Sequence, residues 1–225
     1  MDKITLRLSK YITQSGLCSK REAEKLIRIG QVSVNGSPVT DLTMSVSPND
    51  IVTVNGDPLT LKHSKRLWVF YKPTGVISTH DKQEQRKTLF QLLPQTMPRV
   101  VSVGRLDMFT EGLILLTDNG NLASILEHEA VQWQRTFHLI YDSTVTNETL
   151  DHLNQFFTQI RKLTDSTLEV KTMKDLSRDS QKLLSIGHHK LTQLIRIGFG
   201  PYKLDQMNPE DLKEIPETEI NARYD

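Results

Sequence analysis

The sequence predicts an α+β protein in which a small N-terminal α/β domain precedes a larger domain built on a mixed, mostly antiparallel sheet. Strand-like apolar runs predominate after about residue 66, and helical patterns interrupt them irregularly, which favours α+β organisation. The first 60 residues differ, since two amphipathic helical patterns precede two short strands. We therefore assign residues 1–60 to one domain and 61–225 to a second, with the polar, basic stretch Leu59–Lys65 as linker.

The N-terminal domain is predicted to begin with two helices. Leu8, Tyr11 and Ile12 share one helical face, and Gly16 ends that helix. A serine and a glutamate three residues apart then form a capping-box pattern, which starts the second helix, Lys20–Ile29. Two short strands follow, and each is closed by the Asn-Gly pair typical of a tight hairpin. These strands are Val32–Val34 and Ile51–Val54.

In the second domain, apolar runs bounded by turn-forming residues predict the strands. They are Arg66–Tyr71, Leu113–Leu116, Phe137–Tyr141, Leu168–Thr172 and Leu191–Ile197. Helical periodicity occurs in three segments between these strands. The three are the short Thr88–Leu93, which Pro94 ends, Leu122–Glu127 after an Asn-Gly turn, and the amphipathic Thr149–Ile160.

Composition excludes several classes of protein. A chain of 225 residues with ordinary apolar content can bury a sizeable core and is not of the disordered class. The single cysteine, Cys18, excludes an internal disulfide and fits a reducing compartment. No apolar run approaches the roughly 20 residues needed to cross a bilayer. Domain-like sequence begins by about Leu6, so we expect no removable leader and a cytoplasmic location, with an organellar matrix as the alternative.

The charge is unevenly distributed along the chain. Its formal net value is only +1, but residues 1–66 hold ten Lys and Arg against six Asp and Glu, a net of +4, and the remainder has a net of −3. A basic module attached to a near-neutral body indicates that the first domain contacts a phosphate backbone. No His/Cys cluster has metal-ligand spacing, so no metal is expected, and His188 and His189 are interpreted as part of a turn.

The most informative segment is the loop that contains Asp107. It leads into the apolar tetrad Leu113–Leu116, which a Thr-Asp-Asn-Gly turn closes. Arg105 is two residues from Asp107, close enough to pair with the carboxylate and to hold it ionised and oriented. A loop aspartate can equally do no more than close its loop. Asp107 and Arg105 are therefore the candidate catalytic residues.

The residues from Gly104 to Gly120 resemble the catalytic signature of RNA pseudouridine synthases of the RsuA/RluB/RluE/RluF family. The resemblance lies in Gly-Arg-Leu-Asp, then Thr-x-Gly-Leu, then Leu-Leu-Thr-Asp-Asn-Gly. Upstream, Tyr71–Thr79 resembles the family's Asn-Lys-Pro-x-Gly strand and loop. Near the end of the chain, Ile197–Leu204 is similar to the family's closing Ile-Gly-Pro strand, and Pro209–Glu214 to the helix start that follows it. The resemblance implies a mixed sheet with the active cleft across its middle.

The same resemblance implies an enzyme that isomerises a uridine of ribosomal RNA to pseudouridine, with no cofactor. In the family the aspartate acts as a nucleophile at the sugar or as a base, and this role falls on Asp107, with Arg105 as its partner. A monomer is expected, with ribosomal RNA as its partner and no membrane association. The implied substrate-binding residues are Lys72, Thr110, Phe137 and Arg178.

Two segments depart from the family pattern. Where the family has Lys-x-Tyr, this chain has Arg135-Thr136-Phe137, which keeps an aromatic face but loses the hydroxyl. A core position on its strand is an equally supported interpretation of Phe137. In the third motif only Arg178 and Gln181 align, and Lys182 is a further basic candidate. These departures leave an alternative open, an RNA-binding paralogue with weakened or no catalysis that acts in ribosome assembly.

The first domain resembles the S4 RNA-binding domain. The S4 pattern recurs nearly intact across Arg7–Gly36, with Lys20 where arginine is common. A solvated helix surface, with salt bridges to Glu22 and Glu24, is the alternative for its charges. Lys20 and Arg21 are the strongest RNA-binding candidates because they open a helix, where phosphate also meets backbone N–H groups. The full set implied to contact RNA is Arg7, Lys10, Lys20, Arg21, Lys25 and Arg28.

Overall fold

The structure is a computed structural model that describes residues 5–61, 66–80, 86–128, 133–176, 185 and 189–224. Its contacts divide the chain into two compact units. The first comprises Met1–Lys65 with Met97–Val101 and Asp118–Leu122, and the second contains the rest. The division of the domains between residues 60 and 61 stays a prediction.

The first unit contains the two predicted helices, and their local signals are confirmed. Its elements are β1 (Leu6–Arg7), α1 (Leu8–Gln14), α2 (Lys20–Arg28), β2 (Val32–Val34), β3 (Ser37–Val39), β4 (Ser45–Val46), β5 (Val52–Val54) and β6 (Asp57–Pro58). The Ser19 hydroxyl accepts from the Glu22 amide at 3.3 Å, and the Glu22 carboxylate accepts from the Ser19 amide at 2.9 Å. This capping box satisfies two amides at the start of α2.

The two helices bury their apolar faces against the short strands. Leu8, Ile12, Ala23 and Ile27 are fully buried in a cluster that includes the valines of β2 and β5. The four-stranded sheet has the order β3-β2-β5-β6, with antiparallel pairs. Both Asn-Gly pairs turn the chain between adjacent strands, and all four of these residues have positive φ, which Asn and Gly tolerate best.

The second unit is built on one large sheet. Its elements are β7 (Leu67–Lys72), β8 (Val101–Val103), β9 (Thr110–Thr117), α3 (Gly120–Glu127), β10 (Arg135–Tyr141), α4 (Asn147–Leu153), β11 (Gln159–Lys162), β12 (Thr167–Thr172), β13 (Leu191–Phe199), β14 (Tyr202–Lys203), β15 (Leu212–Ile215) and α5 (Glu217–Tyr224). The strand order is β11-β12-β10-β13-β9-β7-β15, with β14 beside β13 and β8 beside β9. The β9–β13 pair is parallel and the pairs flanking it are antiparallel, which confirms the predicted mixed, mostly antiparallel sheet.

The middle of this sheet is buried on both faces. Every residue of β7 is buried, as are Gly112–Thr117 of β9, which explains why both strands have continuous rather than alternating apolar sequences. Two charged side chains, Lys72 and Arg196, are among the fully buried residues of these central strands. A buried charge is unfavourable unless hydrogen bonds or an ion pair compensate it. The partners of Lys72 and Arg196 are therefore described with the candidate site.

The predicted helix Thr149–Ile160 is wrong over its second half. The helix, α4, starts at Asn147 because Thr146 caps it by accepting from the Thr149 amide at 3.3 Å. After α4 the chain turns and forms the edge strand β11, in which Ile160 pairs with Val170. The apolar residues shared by both patterns pack on the same core, so the sequence period alone did not distinguish them.

Two further predictions require correction. The segment Pro209–Glu214 does not begin a helix, because Leu212–Ile215 forms β15 and pairs with β7, and the helix starts only at Glu217. Pairing with the exposed edge of β7 overrides the local helical preference of this segment. Thr88–Leu93 is reduced to a single 3-10 turn, Leu89–Gln91.

Candidate active site

Asp107 lies in the short loop between β8 and β9, and the backbone of that loop orients it. Its Oδ1 atom accepts from the amides of Phe109 and Thr110 at 2.8 and 2.7 Å. Its Oδ2 atom is buried and has no hydrogen-bond partner in the described structure. Hydrogen bonds to a carboxylate are charge-assisted and directional. One oxygen is therefore fixed by the protein, while the other is buried without a hydrogen-bond partner among the described residues.

The segment after β7 holds the Asp107 loop at alternate residues. The Gly75 amide donates to the Met108 carbonyl at 2.7 Å, and the Ser78 hydroxyl donates to the Leu106 carbonyl at 2.9 Å. The Leu106 amide in turn donates to the Ser78 oxygen at 3.3 Å. On the other side, the Gly104 amide donates to a Glu127 carboxylate oxygen at 2.6 Å. These contacts come from the segment after β7 and from α3, so the position of Asp107 depends on both.

Lys72 adds to the support of this loop, and its predicted role in substrate binding stays a prediction. The side chain is fully buried, and Nζ donates to the carbonyls of Thr110 at 2.8 Å and Pro73 at 3.0 Å. Burial lowers the pKa of Lys72 to about 8, against the opposing effect of the Asp107 and Glu111 carboxylates. Burial in turn raises the pKa of Glu111. A buried ammonium that donates to two backbone carbonyls helps to position the loop.

Thr110 is also a positioning residue in this structure. It is fully buried, its amide holds Asp107, and its carbonyl accepts from Lys72. Its hydroxyl is buried with no hydrogen-bond partner in the described structure. The backbone of Thr110 supports the aspartate, and its predicted contact with substrate stays a prediction.

The side chains of the loop line an open pocket of about 240 Å³. Arg105, Asp107 and Phe109 line it from the loop, and Arg86 lines it from the segment before the 3-10 turn. The expected ion pair is not formed, since no hydrogen bond or contact within 4 Å joins the described Arg105 and Asp107 side chains. The two backbone amides occupy Oδ1, and Arg105 is exposed, where an ion pair contributes little. The remaining lining residues are Ile77, Ser78, Thr79, Leu106 and Met108.

A buried arginine that the sequence reasoning missed crosses from β13 to β9. The Arg196 Nε atom donates to the Leu113 carbonyl at 2.7 Å, Nη1 lies 3.4 Å from Asp175 Oδ1, and the guanidinium is 4.9 Å from the Phe199 ring centroid. Burial lowers its pKa to about 10, opposed by Asp175. The signal was present, because a single charge interrupts the otherwise apolar strand around Arg196.

Gly112 makes this close approach of β9 and β13 geometrically feasible. Its φ is +101°, and a Cβ atom built on it would overlap the backbone carbonyl oxygen of Arg196. An L-residue would meet both a conformational and a steric penalty here. The glycine of the Thr-x-Gly-Leu pattern therefore serves the parallel strand pair that supports the aspartate loop.

Phe137 does not face the pocket, and its predicted stacking role is corrected to a core role. It is fully buried with Leu139, Leu153 and Val170 in the cluster beneath β10 and β12. A side chain in this position fills the core and offers no face to a nucleobase. Arg178, together with Gln181, Lys182 and His188, lies outside the described residues.

The six basic candidates of the first unit are all exposed. On α2, Arg21, Lys25 and Arg28 follow helical spacing and lie opposite the buried Ala23 and Ile27. Some of the six have protein partners: the Lys20 ammonium is 4.0 Å from Glu24, and an Arg7 guanidinium nitrogen donates to the Thr43 carbonyl at 2.9 Å. Both contacts are at the surface and leave the cations available to a polyanion.

Within the described residues, no three or more His, Cys, Asp or Glu side chains converge as they would around a metal ion. None of the described helices is both long enough and apolar enough to cross a membrane.

Comparison with known proteins gives a consistent result. The profile of the RNA pseudouridylate synthase family matches residues 66–213, and the profile of the S4 domain matches residues 6–52. An uncharacterised RNA pseudouridine synthase of Rickettsia conorii is 36% identical, over 93% of this chain and 96% of that protein. The ribosomal large subunit pseudouridine synthase B of Bacillus subtilis is 33% identical, over 85% of this chain and 73% of that protein.

Structural comparison agrees at the level of the fold. A crystal structure of a pseudouridylate synthase superposes with a TM-score of 0.65, at 20% identity, over 96% of this chain and 98% of the other. The likeness in fold therefore extends over nearly the whole length of both chains.

Proposed function

Because this chain belongs to the RNA pseudouridine synthase family and carries an N-terminal S4 domain, we propose that it isomerises a specific uridine of ribosomal RNA, with Asp107 as the catalytic carboxylate. The relative from Bacillus subtilis is named for the large ribosomal subunit, which supports ribosomal RNA as the substrate class. The single cysteine supports a cytoplasmic location, where thiols stay reduced.

The observation that supports a catalytic role for Asp107 is that its two carboxylate oxygens differ in their hydrogen bonding. Oδ1 is held by two backbone amides of a clamped loop, whereas Oδ2 is buried and has no protein partner within the described residues. A buried acceptor without a partner is unfavourable unless a ligand completes it. In a loop that lines a pocket, this arrangement suits an oxygen that acts on a substrate.

The reaction is an isomerisation, so atoms and charge balance within the nucleotide. The bond between N1 of uracil and C1′ of ribose breaks, the base turns, and C5 bonds to C1′, while the C5 proton leaves and N1 gains one. Asp107 acts through Oδ2 by one of two routes. As a nucleophile it forms a bond to C1′ that breaks when C5 bonds to C1′, and as a base it takes the C2′ proton as the uracil leaves and returns it to C2′ when C5 bonds to C1′. Both routes need one oriented carboxylate and no oxidant.

The target uridine has to leave its stack to reach Asp107, at a cost of a few kcal/mol. The exposed cations of the first unit supply compensating binding energy through phosphate contacts. Arg105, exposed at the pocket and unpaired with Asp107, is placed to contact RNA rather than to orient the carboxylate. We assign Arg105 to this role, together with the six basic residues of the first unit.

The test maps pseudouridine in ribosomal RNA from cells that lack the protein, complemented with variants. We expect one modified site to disappear and to return with the wild type and with Asp151→Asn, an exposed control on α4. Asp107→Asn keeps the shape of the side chain and should lower the rate by roughly 10³-fold or more, so the site stays unmodified. If every site persists without the protein, ribosomal RNA is not the substrate. If Asp107→Asn restores the site, the carboxylate is not catalytic. Retained ribosome assembly with Asp107→Asn would favour the RNA-binding alternative.

A further inference from the structure

Phe109 is an exposed aromatic residue beside the candidate catalytic carboxylate. It is 41% exposed, and it lines the same pocket as Asp107. Along the loop, Arg105 and Phe109 are exposed, Asp107 and Met108 are half-buried, and Leu106 and Thr110 are buried. The exposed positions are therefore those on either side of Asp107, two residues before it and two residues after it.

The backbone at Phe109 is fixed, so the ring is presented from a rigid support. Its amide donates to Asp107, the carbonyl of Met108 before it accepts from Gly75, and the carbonyl of Thr110 after it accepts from Lys72. A large aromatic side chain gains most of its stabilisation from burial. Phe109 is only partly buried at the edge of the pocket, so it obtains only part of the stabilisation that full burial would give.

We propose that Phe109 stacks on the nucleobase adjacent to the target uridine, so that the ring replaces the stacking that base loses when the target leaves the helix. This inference rests on the proposed function, since it assumes that a uridine enters the pocket at Asp107. Aromatic side chains bind unstacked bases through their faces, and such stacking tolerates any base. A phenylalanine adds no hydrogen-bonding group, so Phe109 contributes affinity and strand position, not base identity.

The neighbouring base fits Phe109 better than the target base does. The C1′ atom of the target has to meet Asp107, and Phe109 lies two residues further along the chain, in the turn whose amides hold that carboxylate. Phe109 is two-fifths exposed, so it faces the RNA strand that enters or leaves the pocket. The exposed Arg86 and Arg105 line the same pocket, where they can contact the phosphates on either side of that base.

The first test is kinetic. Ribosomal RNA from cells lacking the protein is converted under single-turnover conditions by wild type, Phe109→Ala and Phe109→Trp. We expect Phe109→Ala to raise the half-saturating RNA concentration about tenfold, the lower part of the range for loss of one base stack, with the saturating rate within about threefold. Phe109→Trp should restore the wild-type value. Phe156→Ala, at a similarly exposed phenylalanine that lines neither this pocket nor the loop, should behave as wild type.

The second test does not depend on conversion. Binding of a mixed-sequence single-stranded RNA 12-mer and of its duplex is measured over a range of salt concentrations. Phe109→Ala should weaken binding of the single strand only and leave the salt slope unchanged, since stacking releases no counterions. Arg105→Ala should reduce the slope. Equal half-saturation and equal single-strand binding for wild type and Phe109→Ala would overturn the stacking proposal, while wild-type failure to convert any uridine, with stacking retained, would overturn only the proposed function.

Discussion

Replacement of Lys72 by methionine tests whether a buried ammonium supports the Asp107 loop. In the folded protein the Lys72 side chain is fully buried and its pKa is lowered from 10.5 to about 8, chiefly by burial. The charged form therefore reduces the stability of the fold at neutral pH, by about 3 kcal/mol at 1.36 kcal/mol per pH unit. Methionine removes this charge but leaves the Thr110 and Pro73 carbonyls without their donor, which costs about 1–3 kcal/mol for each.

The two effects differ in their dependence on pH. Loss of the hydrogen bonds does not vary with pH, whereas the charge cost does. Because the folded pKa lies below the unfolded pKa, the unfolded state binds more protons between pH 8 and 10.5, and wild-type stability rises with pH in that window. Integration from pH 7 to pH 10 gives an increase of about 2.5 kcal/mol for the wild type relative to Lys72→Met.

Urea unfolding at pH 7, 8, 9 and 10 measures this difference directly, and comparison with the variant cancels the other titrating groups. Lys213→Met, an exposed position on β15, is the matched control for loss of a surface lysine. We expect the free energy of unfolding of the wild type minus that of Lys72→Met to increase as the pH rises from 7 to 10. If this difference in the free energy of unfolding stays constant or decreases with pH, Lys72 is not held as a buried ammonium.

Two further predictions concern the sheet and the first unit. Gly112→Ala should destabilise the protein by several kcal/mol, since the added methyl overlaps the Arg196 carbonyl at a position of positive φ. Thermal denaturation should show a large fall in Tm, whereas the control Gly120→Ala, which has open space around it, should not. Equal Tm values for the two variants would contradict the close approach of β9 and β13. Lys20→Glu combined with Arg21→Glu should weaken RNA binding and flatten its salt dependence, because two exposed cations that we propose to contact phosphate become anions. An unchanged salt slope in a binding titration would identify both as ordinary solvated charges.

Elements whose signals are local were predictable from the sequence. The capping box of Ser19 and Glu22 defines the start of α2, and the two Asn-Gly pairs define the hairpins of the first unit. Each signal is complete within a few residues, so no knowledge of distant partners is needed. The central strand β9 was predictable for a related reason, because a continuous apolar run of that length suits burial on both faces.

Elements that depend on distant partners were predicted wrongly. The segment 212–215 forms a strand only because β7, about 140 residues earlier in the chain, offers it an edge. The residues of β11 carry a helical apolar period that is also compatible with a strand, and pairing with β12 decides between them. Pairing partners of this kind lie outside the window that periodicity samples.

At the candidate site, the sequence indicated which residues lie close together but not which role each of them has. Proximity along the chain suggested an ion pair between Arg105 and Asp107, yet the nearest amides take the carboxylate instead. The motif placed Lys72 beside the reaction, but only the fold shows it buried under the loop. The burial of a side chain and the direction of a backbone amide are set by the folded sheet. A sequence motif gives the identities of the residues but neither of these properties.

The loop divides support and chemistry between different groups. The backbone carbonyls of Leu106, Met108 and Thr110 accept hydrogen bonds from the 72–78 segment, whereas the side chains of Arg105, Asp107 and Phe109 line the pocket without making those bonds. Rigid support of this kind reduces the reorganisation that a carboxylate would otherwise undergo on meeting its substrate. Changes on the pocket side should therefore alter RNA binding or rate at nearly constant stability. Changes on the support side should lower stability and activity together, and this difference distinguishes the two sets by experiment.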